Sequence, residues 1–335
     1  MERSGLLRDV AGSKDMSRKM YDIGEVEAIE HISRILQQHL ANKRTAVFGV
    51  NDDAQAITLG DLWVFLKIDG TTTSSSKYPW LSYRDIGYRV ALSSVTDLIA
   101  KNARPAILVS SITMSGEMTL DILLDITSGI MDLAEATGSL YVGGDLNRLN
   151  QHDIVVDVAS VGVSKDPKPS SPFREGLTVY STKCLGLSAI PAALYYHKKD
   201  AGSWMEVLKM ISRPIPPLEF FKYSDKAVVA TDISDGITSL RKVLRKSNTD
   251  LFLSSDALCP EVLEFSMEEK LEIPKVLGYM GEEYAVVFAS EEENLPALKL
   301  GYTSRGSGRI YLGSEELRGG WDNFLGYMNT TDKKT

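Results

Sequence analysis

The sequence predicts an α+β protein built of two halves, and three observations carry that prediction. Segments with apolar residues at helical spacing are mixed with short strand-like runs, without the regular alternation of a doubly wound sheet. A proline-rich stretch, SKDPKPSSPFREG (164–176), interrupts the chain near its middle. Beyond it the mixture of strands and helices roughly repeats. At 335 residues the chain is long enough for two cores. The predicted divisions are an extension at 1–23, a first domain at 24–165 and a second at 166–335.

Taken in order, Val26, Ile29, Ile32, Leu36 and Leu40 predict a helix over 25–41. TAVFGV and LWVFLKI (62–68) read as strands. Residues 84–102 read as a helix that ends at ARP, where Pro105 forbids continuation. AILVSSITM (106–114) is a strand, and LDILLDITSGIMDLAEATG (120–138) a helix with Gly138 as its C-cap. LYVGGD and DIVVDVASVGV add two strands. After the proline-rich stretch come TVYST as strand, GSWMEVLKMI as helix, AVVATDI as strand and ITSLRKVLRK as helix, then strands at AVVFA and RIYLG. RGSGR (305–309) reads as a hairpin turn.

Composition narrows the function. With 43% apolar and 24% charged residues the chain reads as an ordinary globular protein, and no apolar run approaches the length of a membrane span. A net charge of −8 argues against general nucleic-acid binding, which needs a basic surface. Cys184 and Cys259 are too few for a disulfide framework or a cysteine metal site, so a cytoplasmic location is expected. No phosphate-binding G-x-x-x-x-G-K-[ST], zinc-type H-E-x-x-H or G-x-S-x-G elbow occurs. His31 and His39 sit on the predicted first helix, where solvated or capping roles are expected.

The acids carry the signal. In VFGVNDDAQAI (47–57) Asp52 and Asp53 interrupt two apolar runs. Asp69 ends LWVFLKI, Asp97 precedes ARP, Asp145 follows LYVGG, and Asp232 and Asp235 follow AVVA. Carboxylates gathered on a shared rim repel one another, and hard cations remove that repulsion. Mg²⁺ takes a few carboxylates together with waters and phosphate oxygens. The same residues are also common at turns and N-caps, so spacing alone leaves the metal reading and the turn reading both open.

The ordered set GVNDDAQAI, TDLIAKNARP, GGDLNR, RPIPPLE, DISDGI, GEEYAVVF and GGWDNF resembles the thiamine-monophosphate kinase family. That family lies within the superfamily of aminoimidazole ribonucleotide synthetase and the hydrogenase maturation dehydratase. The resemblance runs over residues 24–327. It implies a first domain whose sheet forms a barrel with a second copy of the chain, hence a homodimer. It also implies a C-terminal, sandwich-like α/β domain that closes a cleft for ATP and a small phosphorylated substrate. By matching position, Asp53, Asp69, Asp97, Asp145, Asp232 and Asp235 would hold Mg²⁺. Gly144, Asp145, Ser234 and Lys168 would contact ATP, and Glu282, Trp321 and Ser76 the substrate. The implied reaction is transfer of the ATP γ-phosphoryl group to thiamine monophosphate.

The chain departs from the family pattern at several points. KIDGT (67–71) puts Lys67 and Ile68 where the family has oxygen-bearing metal neighbours, and Asn51 replaces a glycine. Ser76 stands at the position of a substrate-contacting histidine. Ser170, with Lys168 close by, stands where an ATP-contacting arginine is expected. STKCLGLSAIP lacks the usual acid and second glycine. Two alternatives follow from these departures. One is an ATP-dependent activation of a carbonyl or amide oxygen, as in the synthetase branch, to which Asp69-Gly70 is similar. The other is a nucleotide-binding homologue without turnover.

Overall fold

The computed structural model describes residues 18–40, 47–50 and 52–327; Asn51 and the first part of the expected extension lie outside them. The first helix, α1 (Met20–Leu40), begins before its predicted start and kinks at Gly24, which has φ 70°. Strands β1 (Val47–Phe48), β2 (Gln55–Leu59) and β3 (Leu62–Thr72) follow as an antiparallel meander. Helix α2 (Tyr83–Ala100) starts at a capping box: Ser82 Oγ accepts from the Asp85 amide, and Asp85 accepts from the Ser82 amide. Then come β4 (Arg104–Ser115), α3 (Leu120–Thr137), β5 (Leu140–Leu149) and β6 (Ile154–Ser164). Gly138 ends α3 in the left-handed region, φ 69°, as its C-cap reading requires.

These six strands form one sheet in the order β1-β2-β3-β6-β4-β5, antiparallel except for β4 with β5. Its two faces differ. Ile154, Val156 and Val158 on β6, with Leu108 and Ile112 on β4, are buried beneath α2 and α3. The opposite face leaves Ile57, Leu66, Ile68, Ile107, Leu140 and Val142 exposed. The strand period of two sends alternate residues to these two faces. Helices α2 and α3 touch backbone to backbone. A Cβ on Gly87 would lie 2.0 Å from the Ile126 carbonyl oxygen, and one on Gly129 1.9 Å from that of Arg84.

The second sheet has seven strands in the order β13-β12-β9-β11-β7-β10-β8. They are β7 (Thr178–Ser181), β8 (Val229–Asp232), β9 (Thr249–Leu253), β10 (Val286–Ser290), β11 (Leu298–Arg305), β12 (Ile310–Leu312) and β13 (Glu315–Glu316). Its central strands are buried on both faces. Val287 and Ala289 of β10 point into a core shared with helices Ala189–Tyr196, Met205–Ser212 and Pro260–Glu269. Val286 and Phe288 point into the core formed with α2 and α3. The layers therefore run sheet, helices, sheet, helices, and the core between the two sheets is shared by both halves. A small pair, β14 (Trp321–Asp322) with β15 (Gly326–Tyr327), ends the described chain.

Four sequence expectations change here. RGSGR is not a hairpin, because β11 and β12 lie on opposite sides of β9, and β12 runs parallel to it. The crossing loop instead wraps a carboxylate: the amides of Ser307, Gly308 and Arg309 all donate to Asp250 Oδ1, at 2.7, 2.9 and 2.7 Å. Asp145 lies within β5 rather than after a strand, and Asp69 within β3, because both strands extend past their apolar runs. The two helices expected in the second half begin as 3₁₀ turns, at Gly202–Trp204 and Ile237–Leu240, before turning α-helical. Finally, Cys184 and Cys259, too few for a framework, form one disulfide. It joins the loop after β7 to the start of helix Pro260–Glu269.

Candidate active site

The site lies where β3, α2 and β8 converge. On α2 and at its C-cap, the polar residues Arg89, Ser93, Asp97 and Lys101 recur every fourth position, so they form one stripe along the helix. On β3, Phe65, Lys67 and Asp69 share the face turned toward that stripe, and β8 delivers Asp232 at its last residue. Together with the loop carrying Asp52 and Asp53, these elements line a cleft of about 1070 Å³.

Asp53, Asp97 and Asp232 meet there: one carboxylate oxygen from each lies within 4.8 Å of the others. Asp69 and Asp235 line the same cleft. Burial raises the Asp97 carboxyl well above the usual range, and Asp232 beside it adds to the effect. Asp232 is raised by burial and then by Asp53. Asp235 keeps contact with solvent, yet enclosure by the cleft wall, followed by Asp232 and Glu25, lifts it to about 7. Asp69 is raised by burial, and its buried Oδ2 has no hydrogen-bond partner among the described residues. Oxygen donors only, crowded enough to resist ionisation, fit a hard divalent cation such as Mg²⁺.

Two lysines interleave with these acids. Lys101 is 0% exposed, and its Nζ reaches Asp52 Oδ1 at 2.6 Å, Asp53 Oδ2 at 2.8 Å and the Ala230 carbonyl at 2.9 Å. Burial would raise Asp52, but Lys101 and the amides of Ser170 and Asp53 hold it below the usual carboxylate range. Asp53 also accepts from Thr231 Oγ1 at 2.7 Å. Lys67 Nζ lies 2.6 Å from Asp97 and 3.4 Å from Asp69.

Farther along the cleft, Glu282 pairs with the buried guanidinium of Arg89, which also donates to the Ile211 carbonyl. Trp321 lines the same space, and its Nε1 donates to Asn323. The start of α1 is tied to this strand, because the Glu25 amide donates to Asp322 Oδ2 at 2.9 Å and Asn323 Nδ2 donates to Glu25 at 2.8 Å. Ser76 lines the cleft and accepts from Thr71 Oγ1 at 2.5 Å. Glu283, buried next to Glu282, accepts from the amides of Gly186 and Ser188 and from the Ser188 hydroxyl.

Of the residues expected from the sequence, Asp53, Asp69, Asp97, Asp232, Asp235, Ser234, Glu282, Trp321 and Ser76 line this one cleft. Gly144 and Asp145 do not. Asp145 is exposed on edge strand β5 and accepts from Asn147 Nδ2 at 2.7 Å. Lys168 is buried against Asp166 at 2.7 Å, outside the cleft lining, whereas Ser170 lines it and donates its amide to Asp52 Oδ2 at 3.0 Å. Sequence reasoning missed Arg89 and Lys101. Their signal was present as two cations twelve residues apart, at helical spacing with Ser93 and Asp97.

Residues 51–164 match the family described as AIR synthase related protein, N-terminal domain. The match covers the first sheet from β2 to β6 with helices α2 and α3, the part of the chain that carries Asp53, Asp69 and Asp97. Among characterised proteins the chain is similar to thiamine-monophosphate kinase of Pyrobaculum calidifontis, at 26% identity over 83% of this chain and 92% of that protein. Its fold is similar to that of AaThiL complexed with AMPPCP and TMP, with a TM-score of 0.78, 20% identity and coverage of 92% and 99%. Hydrogenase maturation protein HypE shares the fold at a TM-score of 0.61 and 15% identity, over 83% of this chain and 95% of that one. The chain is thus similar to thiamine-monophosphate kinases over most of its length, with residues 51–164 matching the AIR synthase-related N-terminal domain.

Proposed function

We propose that the chain catalyses ATP- and Mg²⁺-dependent phosphoryl transfer to thiamine monophosphate, giving thiamine diphosphate and ADP. The observation that supports this most is the meeting of Asp53, Asp97 and Asp232 at the inner end of a cleft that Glu282 and Trp321 also line. Asp53, Asp97 and Asp232 would hold Mg²⁺, with Asp69 and Asp235 beside them. When bound, the ion neutralises the phosphate charge that the acids would otherwise repel. Ser234, on the same wall, would bind the nucleotide. The Trp321 indole offers a flat face for a cationic ring, and Arg89 orients the Glu282 carboxylate toward the acceptor. Ser76 and Thr71 supply hydroxyls in place of a histidine. Phosphoryl transfer needs positioning and charge neutralisation more than a strong base, and no residue of the cleft is assigned as one.

A homodimer belongs to this reading. The exposed apolar face of the first sheet is supportive, since a lone chain would leave it in water. Asp145 pairs opposite Ser111 on that outward face, so its metal role depends on what pairing brings near it. The domain division at 165/166 and a cytoplasmic location are part of the same proposal.

The test is incubation with MgATP and thiamine monophosphate, with thiamine diphosphate and ADP as the expected products. ADP formed only with another phosphorylated metabolite would instead support the synthetase-type reaction, for which Asp69-Gly70 speaks. Stabilisation by MgATP without turnover on either would support a binding homologue.

A further inference from the structure

One cation already stands among the carboxylates of the cleft. The strand period of β3 turns Lys67 toward α2, and its Nζ sits between Asp97 Oδ2 at 2.6 Å and Asp69 Oδ1 at 3.4 Å. The side chain is 21% exposed, and it lines the cleft. Lys101 makes the contrast. That ammonium is sealed from solvent and spends its three N–H groups on Asp52, Asp53 and the Ala230 carbonyl. Lys67 engages two carboxylates and keeps one N–H for a group in the cleft.

An ammonium and a divalent ion cannot both occupy the space between Asp69 and Asp97. Mg²⁺ draws carboxylate oxygens to about 2.1 Å, closer than the 2.6 Å that Lys67 already takes from Asp97. We propose that the Lys67 ammonium permanently fills one cation position of the acid ring, so that the cleft takes one fewer divalent ion with nucleotide than it would with a neutral oxygen-bearing residue at 67. Lys67 is then a positioning residue that also presents charge to the bound phosphates. The proposal rests on the reading of the cleft as a metal–nucleotide site.

The test counts ions. Wild type, Lys67→Ser and Lys67→Arg are stripped with chelator and titrated with Mn²⁺ in the presence of a non-hydrolysable ATP analogue. Free Mn²⁺ is followed by electron paramagnetic resonance. The expected result is one additional Mn²⁺ per chain in Lys67→Ser and the wild-type count in Lys67→Arg. In chelator Lys67→Ser should melt below wild type, and Mn²⁺ should close the gap. If Lys67→Ser does not fold without ions, it is prepared in Mn²⁺ and counted after the excess is removed by gel filtration. Equal counts in wild type and Lys67→Ser, with the analogue still bound, would overturn the inference and leave the proposed function standing. No Mn²⁺ bound by any of the three would overturn both.

Discussion

Replacing Lys101 with methionine removes the charge that holds the acid loop to the body of the protein while keeping an unbranched chain in the same buried channel. The ammonium lies 2.6 Å from Asp52 and 2.8 Å from Asp53. At an effective dielectric of about 20, each contact is worth roughly 6 kcal/mol of attraction before desolvation. Burying the ions offsets much of this, and breaking a buried pair from one side costs about 3–5 kcal/mol. Asp52 keeps the amides of Asp53 and Ser170, and Asp53 keeps the Thr231 hydroxyl, so the lower end, about 3 kcal/mol, is expected. The assay is urea unfolding in chelator near pH 7. With a slope of about 3 kcal/mol per molar, the midpoint should fall by about 1 M. Adding Asp52→Asn should recover part of the loss, because one unpaired buried carboxylate disappears. A midpoint shift below about 0.2 M, or a double variant that is simply additive, would refute the clamp.

Three further outcomes follow from the same geometry. Asp97, Asp232 and Asp235 titrate above their ordinary range, so the folded chain retains protons that the unfolded chain releases. Without metal, stability should be greatest below about pH 4 with respect to these groups. It should fall as pH rises to about 7, the value for Asp235. Mg²⁺ should flatten that decline; an Asp235→Asn variant whose stability follows the same pH dependence as wild type over this window in chelator would contradict the acid ring. Gly129→Ala puts a Cβ 1.9 Å from the Arg84 carbonyl oxygen, so α2 and α3 must separate. A cost of about 1–3 kcal/mol is expected by thermal unfolding, and a neutral variant would mean that the helices do not pack this closely. Asp250→Ala strands three amides and should cost about 2–3 kcal/mol, while Asp250→Asn, which keeps an acceptor oxygen, should recover most of it. Equal effects of the two would show that the loop is not held by that oxygen.

Much of the first half was readable because its elements carry strong local signals. Apolar spacing marked α1 and α3, Pro105 marked the end of α2, and Gly138 capped α3 in the conformation a glycine tolerates best. The seven-stranded sheet was read in part: TVYST, AVVATDI and AVVFA became the buried strands β7, β8 and β10, whereas β9 and β11 were not anticipated. RGSGR showed the limit most clearly: its composition suits a hairpin turn, and only the insertion of β9 between β11 and β12 makes it a crossing loop around Asp250.

The acids illustrate the same division. Residue type and order were enough to mark Asp53, Asp69, Asp97 and Asp232 as candidates, since carboxylates recurring beside apolar runs are a chemical pattern the chain carries in one dimension. Which of them share a pocket depended on strand parity, helix phase and sheet order. Those properties put Lys67 among the acids, sealed Lys101 beneath them and left Asp145 on an outer strand. Local preference is written residue by residue. Proximity between residues more than a hundred positions apart exists only once the shared apolar core has brought both sheets against α2.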